Sequence, residues 1–107
     1  MSEWVHFGIV GDIPEGTYSS QDFDGTQIVV FNLKGDFFAL EDVCTHDGTV
    51  LTHGQSMDEG EIVCPRHGAR FCIRTGEALS APAWEATKKF ELRIEGKNIL
   101  FLDDRWD

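Results

Sequence analysis

Two short loops constrain this chain more than any other feature. The first reads Cys44-Thr45-His46 and the second Cys64-Pro65-Arg66-His67. Each supplies one thiol and one imidazole, so two cysteines and two histidines can meet around a metal. A zinc finger commonly takes its cysteines from one segment and its histidines from another. Here every segment offers one of each. That alternation suits a binuclear cluster in which one iron takes both thiolates and the other both imidazoles, with each loop reaching across both metals.

The segments around these loops read as strands. Residues 27–33 form an apolar, β-branched run. Lys34-Gly35-Asp36 turns it into Phe37-Phe38-Ala39-Leu40, the pattern of a hairpin. Phe90, Leu92 and Ile94 alternate with Glu91, Arg93 and Glu95, which predicts one strand with a buried face. Glu95-Gly96-Lys97-Asn98 turns it into a strand at 99–102, and further strands are expected at 5–10, 16–20, 61–64 and 70–74. No segment carries a sustained helical period between capping signals. The expected fold is all-β: one domain, 1–107, built as a β-sandwich base with a smaller cluster-binding β subdomain inserted at about 43–79.

The motif C-x-H, a gap of 17 residues (47–63), then C-x-x-H resembles the Rieske [2Fe–2S] signature, in which two histidines replace two cysteines on one iron. Trp4, Ile13-Pro14-Glu15-Gly16, Phe38-Ala39-Leu40-Glu41-Asp42, Gly68-Ala69-Arg70-Phe71, Thr75-Gly76-Glu77 and Ala81-Pro82-Ala83 extend the resemblance over nearly the whole chain. It implies one [2Fe–2S] cluster bound by Cys44, His46, Cys64 and His67, with the added electron localised on the histidine-bound iron. High-potential members carry a disulfide between the two loops, plus a Ser and a Tyr that donate to the cluster. The matching positions here are Thr49, Arg66, Ala69 and Phe71. None can reproduce those interactions, so a low-potential centre is expected. Backbone N–H groups of Asp47, Gly48, Gly68 and Ala69 are the remaining candidates to serve the sulfurs.

Small free-standing members resemble the ferredoxin component of bacterial aromatic-ring-hydroxylating dioxygenase systems. The implied function is one-electron transfer from an NAD(P)H-dependent flavoprotein reductase to a terminal Rieske non-haem iron oxygenase, with no catalysis by the chain itself. Two alternatives stand beside it: a small Rieske subunit of a nitrite reductase, and a structural zinc-binding interaction domain.

Charge and cysteine usage narrow the setting. Nine basic against nineteen acidic residues give a formal net charge of −10, which repels nucleic acid and favours partners with basic patches. No apolar run approaches a membrane span, and three cysteines do not make a secreted disulfide framework. A cytoplasmic monomer is the expectation. Among the remaining reactive side chains, Cys72 reads as a small buried hydrophobe and His6 as a strand residue. His53 reads as a turn residue, Trp84 as packing at the cluster flank, and the Glu41–Asp42 pair as solvated carboxylates.

Overall fold

A computed structural model describes residues 2–45, 48, 50–52, 60–65, 68–81 and 83–105. Its regular elements there are nine strands and one 3-10 turn at Val10–Asp12. The strands are β1 (Glu3–Ile9), β2 (Tyr18–Phe23), β3 (Thr26–Leu33), β4 (Asp36–Glu41), β5 (Glu61–Val63), β6 (Arg70–Cys72), β7 (Lys89–Phe90), β8 (Leu92–Glu95) and β9 (Asn98–Asp103). They form three antiparallel sheets, ordered β1-β9-β8, β2-β3-β4-β7 and β5-β6.

β3 explains the layering. Ile28, Val29, Val30 and Phe31 are consecutive and all fully buried. Successive strand residues point to opposite faces, so both faces of β3 must be covered. Ile28 and Val30 join Phe7, Phe90, Ile99 and Phe101 in one core, between the β2-β3-β4-β7 and β1-β9-β8 sheets. Val29 and Phe31 join Leu40, Ile62, Phe71 and both motif cysteines in a second core, beneath the β5-β6 hairpin. The expected all-β sandwich with a smaller inserted sheet is thus what forms. The β3–β4 hairpin is its shared middle wall. Lys34 and Gly35 close that hairpin at φ 54° and 96°, the left-handed pair that a two-residue turn requires.

The strand expected through Phe90, Leu92 and Ile94 proves to be two. Phe90 in β7 pairs with Ala39, whereas Leu92 in β8 pairs with Phe101. The chain changes sheets at Glu91, and burial fades along it: Phe90 is buried and Ile94 is 45% exposed. The alternation marked the strand period correctly, but the outer half of β8 has no layer to cover it.

The segment between β6 and β7 is tied across the end of β4. The Thr87 hydroxyl donates to the Glu41 carbonyl at 2.9 Å, and the Glu41 N–H donates to the Lys88 carbonyl at 2.8 Å. Gly76 makes this crossing possible. It sits at φ 81°, and a Cβ there would collide with the Thr87 carbonyl oxygen and approach Leu40 Cδ2 to 3.3 Å. Gly76→Ala is expected to destabilise the fold by about 2 kcal/mol or more, combining left-handed strain with a backbone clash. Gly11→Ala, facing open space at an ordinary φ, should change stability by less than about 0.5 kcal/mol. Chemical denaturation of both variants checks the contrast.

Candidate metal centre

The two motif cysteines begin matched turns. Cys44 follows β4, and its carbonyl accepts the N–H of Gly48 at 2.8 Å; Cys64 follows β5, and its carbonyl accepts the N–H of Gly68 at 3.0 Å. The glycines sit at φ 79° and 75°, a left-handed conformation that a Cβ would disfavour. In both turns the chain starts buried at the cysteine and ends exposed at the glycine. The second turn is also the loop of the β5–β6 hairpin, closed by the Cys64 N–H donating to the Ala69 carbonyl at 2.7 Å.

Cys44 and Cys64 share one apolar core, at 0% and 1% exposure. None of the three cysteines is in a disulfide. Two buried sulfurs at equivalent positions of two matched turns, on one wall, suit a pair of thiolate ligands. His46 and His67 fall inside the same turns by sequence and lie outside the described residues, as do Asp47, Thr49, Arg66, Pro82 and His53. Among the described residues, no group of three or more metal-ligating side chains converges.

Several expectations change here. The N–H groups of Gly48 and Gly68 go to the cysteine carbonyls; closing the turn claims them first. Ala69 and Phe71 are fully buried in the core with the cysteines, and neither side chain can donate a hydrogen bond. Trp84 does not pack at the flank: it is 86% exposed, while its neighbour Ala83 is buried in the cysteine core. The Thr45 hydroxyl, next to Cys44, donates to the Glu85 carbonyl at 2.7 Å and so anchors the Trp84 segment beside the first turn. His6 is exposed on β1, with Nε2 3.1 Å from the Asn98 side-chain oxygen.

Asp42 is also not solvated. It is 1% exposed at the foot of the first turn. One carboxylate oxygen accepts the Thr52 N–H at 2.9 Å, and the other accepts the Thr52 hydroxyl and the Ser20 hydroxyl, the latter at 2.7 Å. The Tyr18 hydroxyl donates to the Thr52 carbonyl at 2.8 Å. Burial first, and the charge of Asp42 second, push the Tyr18 phenol above its ordinary value.

Cys72 starts a third turn of the same kind. Its carbonyl accepts the Gly76 N–H at 2.7 Å, and Gly76 has φ 81°. The spacing Cys-x-x-x-Gly therefore occurs three times, at 44–48, 64–68 and 72–76, a signal legible in the sequence and missed there. Cys72 is only partly buried, not the small core hydrophobe expected. Burial pushes its thiol up, but hydrogen bonds from the Thr75 hydroxyl and the Thr75 and Arg74 N–H groups outweigh it, leaving the thiol below its ordinary value.

Comparison with known proteins decides what the paired turns belong to. Residues 3–91 match the family model described as the Rieske [2Fe-2S] domain. The chain belongs to the Rieske [2Fe–2S] domain family. Its cofactor is accordingly one [2Fe–2S] cluster. It is 36% identical over 91 residues to the biphenyl dioxygenase ferredoxin subunit of Pseudomonas sp. (strain KKS102), covering 85% of this chain and 84% of that one. Over 94 residues it is 36% identical to the 3-phenylpropionate/cinnamic acid dioxygenase ferredoxin subunit of Escherichia coli (strain K12), covering 88% and 87%. A solved complex of reduced oxygenase and oxidized ferredoxin in carbazole 1,9a-dioxygenase contains a chain that superposes with a TM-score of 0.85. The two are 27% identical, over 92% of this chain and 91% of that one. Like such ferredoxins, this Rieske protein is an electron-transfer component and not an enzyme.

The Cys72 turn yields a direct expectation. Alkylation of the holo protein by iodoacetamide should modify Cys72 with a pH midpoint below that of an unperturbed thiol measured alongside it. Thr75→Val should move that midpoint up, as read by mass spectrometry of the labelled peptide.

Proposed function

We propose that this Rieske ferredoxin carries single electrons from an NAD(P)H-dependent flavoprotein reductase to the terminal oxygenase of an aromatic-ring dioxygenase system. Cys44, His46, Cys64 and His67 hold the cluster, within one domain (1–107) whose cluster-binding part spans about 43–79. The observation that carries this reading is the 36% identity to dioxygenase ferredoxin subunits over most of both chains. The solved ferredoxin–oxygenase complex supports the oxygenase as acceptor. When bound, the cluster accepts and gives up one electron at a time.

This chain's residues do the rest. Cys44 and Cys64 supply two buried anionic ligands, and the left-handed glycines fold the turns around them. The side chains of Ala69 and Phe71 present no donor to the sulfurs, which holds the potential toward the low end of the range of roughly −150 to +300 mV for Rieske centres. Ligand assignment and cofactor are tested together by iron and sulfide analysis with electron paramagnetic resonance of the reduced protein. Wild type and Cys72→Ser should each hold one [2Fe–2S] cluster, and Cys44→Ser and Cys64→Ser should lose it. A colourless wild-type protein loaded with zinc would sink the reading.

Trp84 is placed to meet a partner. A tryptophan this exposed, held beside the first turn by Thr45 and Glu85, offers a large apolar anchor. The net charge of −10 adds long-range attraction to a basic docking face. In a system reconstituted with cognate reductase and oxygenase, Trp84→Ala should keep the cluster and its potential yet weaken productive docking on the oxygenase, by on the order of tenfold. Raising salt should slow encounter for wild type and variant alike. Stopped-flow transfer rates and yield of hydroxylated aromatic product read both effects.

A further inference from the structure

The buried carboxylate of Asp42 has no role in the ligand set, yet it lies two residues before Cys44, at most about 7 Å along the chain between Cα atoms. Its two oxygens are filled by three neutral donors: the Thr52 N–H, the Thr52 hydroxyl and the Ser20 hydroxyl. The Ser20 hydroxyl in turn accepts from the Gln27 side-chain amide at 3.1 Å, so it is oriented to donate onward. Among the described residues no cation forms an ion pair with it; the ion pairs there join Arg70 to Glu61, Lys88 to Asp104, Arg93 to Glu95 and Arg105 to Asp103.

Two consequences follow. Asp42 and Thr52 bracket the stretch that contains Cys44 and His46, so the carboxylate staples the two ends of the first turn region together. Tyr18 on β2 reinforces the same point by donating to the Thr52 carbonyl. In addition, the carboxylate's partners among the described residues are dipoles and not cations, and a unit charge in a protein interior acts more strongly on a neighbouring redox centre than it would in water. Reduction adds negative charge to the cluster, and a nearby fixed anion opposes it.

We infer that Asp42 is a positioning residue of this centre: it fixes the first ligand turn through Thr52 and holds the reduction potential down through its buried charge. The inference rests on the ligand assignment given above, and its test separates the two. Asp42→Asn keeps the size of the side chain and removes the charge. Iron content and paramagnetic resonance first establish that wild type and variant each carry a [2Fe–2S] cluster; their absence from wild type would defeat the ligand assignment, whatever Asp42 does. Spectroelectrochemical titration then reads the potential. Asp42→Asn should raise the reduced-to-oxidised ratio at a fixed solution potential by on the order of tenfold, about 59 mV for one electron. A change under twofold, or a fall, overturns the inference.

Thr52→Val supplies the second measurement. It retains the carboxylate and the Thr52 backbone N–H but removes one hydroxyl of the staple. Its potential should stay within twofold of wild type by the same ratio, while a chelator should strip its iron several-fold faster. A shift in potential as large as that of Asp42→Asn would assign the effect to turn geometry and overturn the charge. An unchanged rate of iron loss would overturn the staple, and that rate decides the matter alone if Asp42→Asn does not load.

Discussion

Both faces of the β3–β4 hairpin are buried, and the rest of the molecule is arranged around that constraint. A strand with two apolar faces needs a layer on each side. The β1-β9-β8 sheet covers one face and makes the base. On the other face lie the β5–β6 hairpin and the two cysteine turns, so the proposed metal-bearing end shares a core with the middle wall. A change in the packing of Val29, Phe31 or Leu40 would reach the sulfurs directly.

The turns convert that wall into ligand geometry. Each spends a backbone N–H on the cysteine carbonyl four residues back, and each needs a left-handed glycine to do so. In the proposed centre this exchange would leave fewer donors for the sulfurs and couple the shape of the turn to the electronics of the cluster. On the reading proposed above, the apolar side chains of Ala69 and Phe71 and the buried Asp42 would act in the same direction, each leaving a reduced, more negative cluster less stabilised. A carrier that must pass electrons onward benefits from such a surrounding, and the exposed Trp84 lies beside the turn from which they would leave.

Much of this was legible in the sequence because it depends on local periodicity and on chemically distinctive residues. The alternating Cys/His loops gave the candidate ligands, and the apolar run at 27–33 marked the first strand of a hairpin; its burial on both faces came only with the structure. What escaped is tertiary. Nothing local says that Glu91 is where the chain changes sheets, because the alternation continues through it. Asp42 looks like any strand-end carboxylate until Ser20 and Thr52, 22 and 10 residues away in sequence, close over it. Trp84 reads as packing at the cluster flank, yet it is Ala83 beside it that is buried, and the indole is exposed. The triple Cys-x-x-x-Gly spacing, by contrast, was visible in the sequence from the start. Its meaning came with the positive φ angles.

The central claim is that one thiolate and one imidazole from each matched turn hold a single [2Fe–2S] cluster. Pulsed electron paramagnetic resonance of the reduced protein, grown with and without nitrogen-15 histidine, tests it most directly. The account requires couplings to two strongly bound histidine nitrogens that change isotope together and that are lost in part when either His46 or His67 is replaced by cysteine. A reduced cluster with no strongly coupled histidine nitrogen, or one whose couplings survive both replacements, would contradict it.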